Sequence, residues 1–372
     1  MTKRTGDRTM ELTKQDTQKA KGVAIIGMVM LHLFCRLDDL PYVPWIWIRG
    51  TPFVYYLGLF GDICVPIYCF CSGYAHYLLK EKHGKNYSKS ILIKLFRFLI
   101  NYWIVVVLFS AVGLFFENGS VIPGSFSEFL GNIFLYRISY NGAWWFVVTY
   151  IFLSVLSPLL IQITNFLHPI LLVALSGMVY FVAYLFRFEF ILTLKNEAIS
   201  WFWQQLILIG TSQFGYMVGM VCRKEAWITK LRRVFSGKTL SRICFGRGKQ
   251  VVLCLLPVLT FIGHCIVQSM LVAPITAASV LICLFVVSLP NWLNRFFLFM
   301  GKHSTNIWLT HMFFYLILFE DLVFAVKYPV LILLLTMVFC LAVSAVIKLM
   351  TNSCLRYLKF LDRKKDPESI TR

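Results

Sequence analysis

Apolar residues along this chain come in long runs rather than in strict alternation or in a one-faced helical stripe. Runs of about 20 mainly apolar residues, the length that carries a helix across roughly 30 Å of hydrocarbon, fall near 20–36, 53–79, 91–116, 143–165, 168–187, 201–222, 250–268, 271–290, 305–326 and 329–350. The pattern predicts an all-α fold, a polytopic membrane helix bundle of about ten transmembrane helices. The first run is short, so its helix must reach into its flanks. The stretch 126–138 (FSEFLGNIFLYRI) is too short and interrupted to cross, and reads as an interfacial or re-entrant piece of a loop.

The polar gaps between the runs orient them. With the N-terminus inside, segments 1–21, 80–97, 223–249, 291–302 and 348–372 hold 30 of the 36 Lys and Arg, and the opposite side receives Arg36, Arg49, Arg137, Arg187, Lys195 and Lys327. Cytosolic loops carry such an excess, so both termini are expected in the cytosol. An eleventh crossing within 117–142 would invert every later loop. The expected organisation is a cytosolic tail over 1–19, a membrane domain over 20–350 with a basic cytosolic loop at 223–249, and a cytosolic tail over 351–372. A charge-rich tail before the first run and nine runs after it argue against a cleavable signal peptide.

Composition narrows the class. Of 372 residues, 59% are hydrophobic and 14% charged, against about 25% charged in soluble domains, so too few charges exist to cover a water-facing surface. A water-soluble enzyme, a disordered chain, collagen and a coiled coil are excluded. The formal net charge of +19 raises the question of a nucleic-acid partner. Divided by the expected topology it becomes +22 inside and −3 outside, an orientation signal facing the anionic lipid bilayer, and no nucleic-acid partner is expected. The 11 cysteines form no C-x-x-C pair, which leaves neither a disulfide framework nor a zinc site, and no metal is expected.

Ionisable groups at membrane depth are costly, and each is a candidate for chemistry. The first run reads Lys21-Gly22-VAIIGMVML-His32. Eleven residues make close to three helical turns, so Lys21 and His32 share a face about 16 Å apart, a cation at the cytosolic mouth and an imidazole near mid-membrane. In the ninth run His311 follows Gly301-Lys302-His303-Ser304-Thr305-Asn306, and two imidazoles in the bundle could share proton handling. Lys94 and Arg97, three residues apart, put two cations at the inner leaflet, where they suit a phosphorylated ligand or snorkel to lipid. The second run holds Asp62, Pro66, Tyr68 and the small pair Ser72-Gly73. The pair favours helix packing, Pro66 frees a carbonyl that could line a cavity, and Asp62 reads as an orienting group for His32, a contact for a hydroxylated acceptor or a solvated helix end. Trp144 and Trp145, opening the fourth run, read as interface anchors first and as a sugar-stacking surface second.

Taken together, KGVAIIGMVMLH, VPIYCFCSGY, KLFR, AWWF and GKHSTNIWLTH, in this order and placement, resemble the acyltransferase-3 family of integral membrane acyltransferases over about residues 18–350. The resemblance implies a ten-helix enzyme in the cell membrane of a bacterium that takes an acetyl group from cytosolic acetyl-CoA to a hydroxyl of a surface carbohydrate. Acetyl-CoA is then an acyl-donor substrate rather than a permanently bound cofactor. Lys21 and His32 occupy the family's Arg and catalytic His, and Lys94-x-x-Arg97 its Arg-x-x-Arg, both departures keeping charge and losing a bidentate fork. The fused extracytoplasmic esterase-like domain of some relatives is not expected. On this reading Lys21, Lys94 and Arg97 hold the coenzyme's phosphates, and His32 acts as general base or acyl carrier. His311, with Tyr68 or Ser72, stabilises the oxyanion or relays a proton. The rival reading, a transporter or flippase for a lipid-linked saccharide, predicts an inverted repeat that the sequence does not display.

Overall fold

The computed structural model describes residues 11–38, 40–116, 122–192, 194–236 and 248–365. The first ten residues, the 237–247 part of the basic loop and residues 366–372 of the C-terminal tail lie outside the described residues. In chain order the helices are α1 (Lys14–Phe34), α2 (Phe53–Leu59), α3 (Cys64–His83), α4 (Tyr87–Phe115), α5 (Phe126–Ile133), α6 (Trp145–Phe166), α7 (Pro169–Phe188) and α8 (Glu197–Lys224). There follow α9 (Trp227–Ser236), α10 (Gly248–Val267), α11 (Ala273–Val286), α12 (Asn291–Met312), α13 (Glu320–Phe324) and α14 (Pro329–Lys365). A two-residue hairpin, β1 (Trp47–Ile48) against β2 (Thr51–Pro52), precedes α2.

All ten apolar runs fall on helical segments. Among the described residues, six segments are long and apolar enough to cross a membrane by length and composition. They are Phe53–Phe115, which contains α2 to α4, and Gly142–Phe166, Pro169–Phe188, Glu197–Lys224, Gln250–Val267 and Pro329–Leu358. The protein is an all-α membrane helix bundle. Helices α7 and α10 turn Ile170, Met178, Val182, Val252, Leu259 and Ile266 outward, a surface that lipid tails accept and water does not. Helix α5, eight residues long, spans about 12 Å and cannot cross.

Three boundaries depart from the sequence pattern. Helix α1 starts at Lys14 because Thr13 caps it: the Thr13 hydroxyl accepts from the Asp16 N–H while the Asp16 carboxylate accepts from the Thr13 N–H. Helix α14 runs through to Lys365, so much of the expected C-terminal tail is helical. The ninth run is interrupted: α12 ends at Met312, a π turn occupies Phe313–Ile317, and α13 is separate.

The chain divides into two units. The first comprises Met1–Ser88 and Phe146–Ser304, the second Lys89–Trp145 and Thr305–Arg372. In the first, α3 packs along α8, α8 against α7, α10 against α11, and α1 against the Phe60–Ile63 turn. The α3–α8 seam is set by small residues. A Cβ on Gly73 would meet the Tyr216 carbonyl oxygen at 1.9 Å, and one on Gly219 the Phe70 carbonyl oxygen at 2.2 Å. Gly73 thus serves helix packing, as its pairing with Ser72 suggested, and Gly215 and Gly219 add a G-x-x-x-G spacing on the facing helix. In the second unit, α13 and α14 pack on the π turn.

Candidate active-site residues

Two glycines bring Asp62 to α1. A Cβ on Gly61 would lie 2.2 Å from the Gly27 carbonyl oxygen, so the Phe60–Ile63 turn presses on the helix that carries His32. That turn is a 3₁₀ segment joining α2 to α3, and it aims Asp62 inward. Asp62 is 8% exposed, not a solvated helix end. Its Oδ2 accepts from His264 Nε2 at 3.0 Å, and the neighbouring Gly61 abuts Leu31, the residue before His32, where an added Cβ would lie 2.5 Å from the Leu31 Cβ. His32 is half-buried in the last turn of α1 rather than midway along it. The Thr13 cap sets the start of the helix toward the N-terminus, and the chain leaves the helix at Cys35.

His264, on α10, is fully buried. With Nε2 donating to the carboxylate, its neutral form presents a lone pair at Nδ1, where the Thr276 hydroxyl stands 3.5 Å away. Beside the pair lies a cavity of about 20 Å³ lined by Asp62, Pro66, Tyr180, Arg187 and Thr211 among others. Arg187 donates to the Thr211 hydroxyl at 3.2 Å, and Tyr180 to the Met270 carbonyl at 2.7 Å. The cavity holds about one water-sized sphere and excludes a sugar ring. Pro66 does line it, although in the first turn of α3 its missing N–H costs little.

Eleven residues before His32, two turns inside α1, the Lys21 ammonium stands 5.9 Å from the centre of the Tyr68 ring, within cation–π range. The Tyr68 hydroxyl is buried without a well-formed hydrogen bond, and Ser304 is the hydroxyl it faces. Ser72 donates to the Tyr68 carbonyl at 2.8 Å, so its proton is committed within its own helix. The first unit therefore carries Lys21, His32, Asp62, Tyr68 and Ser72. A further imidazole there, His76, has its Nδ1 2.7 Å from the Tyr216 hydroxyl and 3.2 Å from that of Tyr87, which bonds Ser157 at 2.6 Å. These contacts tie α3, α6 and α8 together.

The second unit carries Lys94, Arg97, Trp145 and His311. Lys94 and Arg97 are both exposed on α4. Arg97 opens onto a cavity of about 320 Å³ with Asn352, Leu355 and Arg356 of α14, and Lys94 is not among its lining residues. Two guanidinium groups at one cavity suit an anionic ligand with several oxygens. His311 is fully buried. Its Nδ1 donates to the Trp308 carbonyl at 2.8 Å, which in the neutral ring assigns the lone pair to Nε2, and Tyr315 of the π turn stacks on it at 5.9 Å. Trp144 is no interface anchor. It is fully buried, and its Nε1 donates to the Leu309 carbonyl at 3.1 Å, as does Asn141 Nδ2 at 3.0 Å. The Trp308 indole returns a bond to the Ala143 carbonyl at 3.0 Å. These reciprocal bonds lock the loop before α6 to the end of α12. Trp145 itself is half-buried as the first residue of α6. Among the described residues no cluster of His, Cys, Asp and Glu has the makings of a metal site.

Sequence reasoning passed over His264, Asn141 and Arg356. His264 carried the same signal as His32, an imidazole within an apolar run. Arg356 was one of many inside cations.

A polytopic helical bundle with buried imidazoles, one paired with a buried carboxylate, defines a helical membrane protein with polar groups inside its apolar segments. The chain belongs to the acyltransferase-3 family, whose acyltransferase-domain model matches residues 20–349, and it is a membrane acyltransferase. No curated protein and no solved structure matches it.

Proposed function

We propose that the protein moves an acetyl group from cytosolic acetyl-CoA to a hydroxyl of a surface polysaccharide or lipid-linked saccharide. It does so as a ten-span protein of a bacterial cell membrane with both termini in the cytosol. The family match over most of the chain carries this reading, and the inside-positive loops support the sidedness. Arg97 and Lys94 bind the coenzyme's phosphates. A 320 Å³ cavity with two arginines is of a size and charge that suit that group. Lys21 adds cationic charge at the same end of the expected topology. His32 is the general base. The turn that carries Asp62 packs on α1 beside Leu31, next to His32, and a negative charge near an imidazole favours the imidazolium that forms when the ring takes a proton. His32 removes the acceptor's hydroxyl proton as the oxygen attacks the thioester carbon. The carbon–sulfur bond then breaks, and the proton passes to the departing thiolate. His311, whose neutral ring carries its lone pair at Nε2 because Nδ1 donates to the Trp308 carbonyl, relays the proton.

The test is His32→Ala in membranes given labelled acetyl-CoA. Label transfer to carbohydrate should fall by about 10²- to 10⁴-fold. Transfer at near the wild-type rate would overturn the assignment. Mass spectrometry of surface polysaccharide made with and without the gene would identify the acceptor by a lost acetyl increment.

A further inference from the structure

Asp62 and His264 come from segments 202 positions apart, and neither lies in a stretch that carries the family resemblance. A buried carboxylate is costly unless its oxygens are paired, so its presence beside the helix of His32 calls for an explanation. The adjoining cavity of about 20 Å³ has room for about one water-sized sphere. Gly61 seats the Asp62 turn on α1 against Gly27 and Leu31, beside His32; the titratable and charged groups around Asp62 are His32 and Cys35 of α1 and its cap, Tyr55 of α2, Cys64 of α3, Tyr180 and Arg187 of α7, which line the same cavity, and His264 of α10. Of these, His264 makes a direct bond to the carboxylate among the described residues.

We infer that Asp62 and His264 are positioning residues for His32. The His264 N–H fixes the carboxylate by occupying Oδ2, and the carboxylate's charge stabilises the imidazolium on His32 while that ring holds the acceptor's proton. Arg187, which donates to Thr211, lines the same cavity as Asp62. Neither positioning residue touches the reacting atoms. The inference rests on His32 being the base.

The experiment measures acetyl transfer by the full chain in detergent or nanodiscs over a range of pH, for Asp62→Asn, His264→Leu, His264→Gln and His32→Ala, with thermal melting of each. Asp62→Asn should lower kcat by about 10- to 100-fold, leave KM for acetyl-CoA within about twofold, and move the acid limb of the kcat/KM profile to lower pH, because an imidazole without a neighbouring anion protonates less readily. His264→Leu should lower kcat similarly. His264→Gln, which keeps an N–H donor, should recover most of it, a rescue that a packing role does not produce. Three outcomes overturn the inference: kcat within twofold of wild type in Asp62→Asn and His264→Leu, an acid limb unmoved in Asp62→Asn, or equal losses in the Leu and Gln variants. If His32→Ala itself retains transfer, the base assignment fails, and the pairing falls with it on a separate measurement.

Discussion

His264 and His311 are both fully buried imidazoles on long helices, yet they are held in opposite ways. His264 gives its Nε2 hydrogen to a carboxylate on another helix segment. His311 gives its Nδ1 hydrogen to the Trp308 carbonyl, one turn back in its own helix. A carboxylate brings net charge and thus couples an imidazole to protonation nearby. A carbonyl brings only a dipole, and its effect is to fix a tautomer and a direction. The contrast teaches that a polar group within a span must be sorted by its partner before a role is assigned.

The largest effect that tests this contrast is at His311. His311→Ala should lower kcat for acetyl transfer by about 10²-fold, the usual scale for loss of one proton-transfer group, with the acid limb of the pH profile, set by His32, where the wild type has it. A limb displaced as in Asp62→Asn would erase the distinction between the two imidazoles.

Next comes the lock that holds His311. Asn141 is fully buried, and its side chain both donates to the Leu309 carbonyl and accepts from the Ala143 N–H at 2.9 Å. Asn141→Ala leaves those groups short of a partner and should cost about 2 kcal/mol, read as a lower melting temperature in detergent. An unchanged melting temperature would show that Trp144 and Trp308 hold the loop by themselves. Smaller again is the cationic cavity. Arg97→Ala should raise KM for acetyl-CoA about tenfold with kcat preserved, the mark of lost ground-state binding. Arg356→Ala, at the same cavity, should raise it about threefold. A fall in kcat at constant KM would move Arg97 from substrate binding to the chemistry.

The helices were legible in the sequence because crossing a bilayer forces each backbone to satisfy itself locally, and so writes an apolar run for each span. The Ser72-Gly73 pair was legible for a similar reason, since only small residues admit a neighbouring backbone as close as that of Tyr216. His32 was found by its rarity in an apolar run, whereas its place in the last turn of α1 depended on the Thr13 cap and on the chain leaving the helix at Cys35, neither of which the apolar run marks. The Asp62–His264 pair was not legible, because a hydrogen bond across 202 positions depends on how α2, α3 and α10 pack, which no local pattern encodes. Trp144 was misread for a related reason: a tryptophan at a helix start looks alike whether its neighbour is a headgroup or the Leu309 carbonyl.

The smallest expected effect lies at the start of α1, outside the apolar region, where charge again governs. Burial works to raise the Asp16 pKa, but hydrogen bonds from the Thr13 N–H and hydroxyl, with the Lys19 ammonium at 3.1 Å, outweigh it and hold the carboxyl below its ordinary value of 3.8. Arg232 reaches the same carboxylate at 3.2 Å. A depressed carboxylate contributes stability that is present above the ordinary value and lost as pH falls through the depressed one. Asp16→Asn should therefore melt below wild type at pH 6, by an amount corresponding to about 1 kcal/mol for a lost capping box. The two melting curves should converge as pH drops below the ordinary carboxylate range. A gap that stays constant down to pH 3 would show that the neutral geometry of the cap, rather than the charge on Asp16, stabilises the start of the helix.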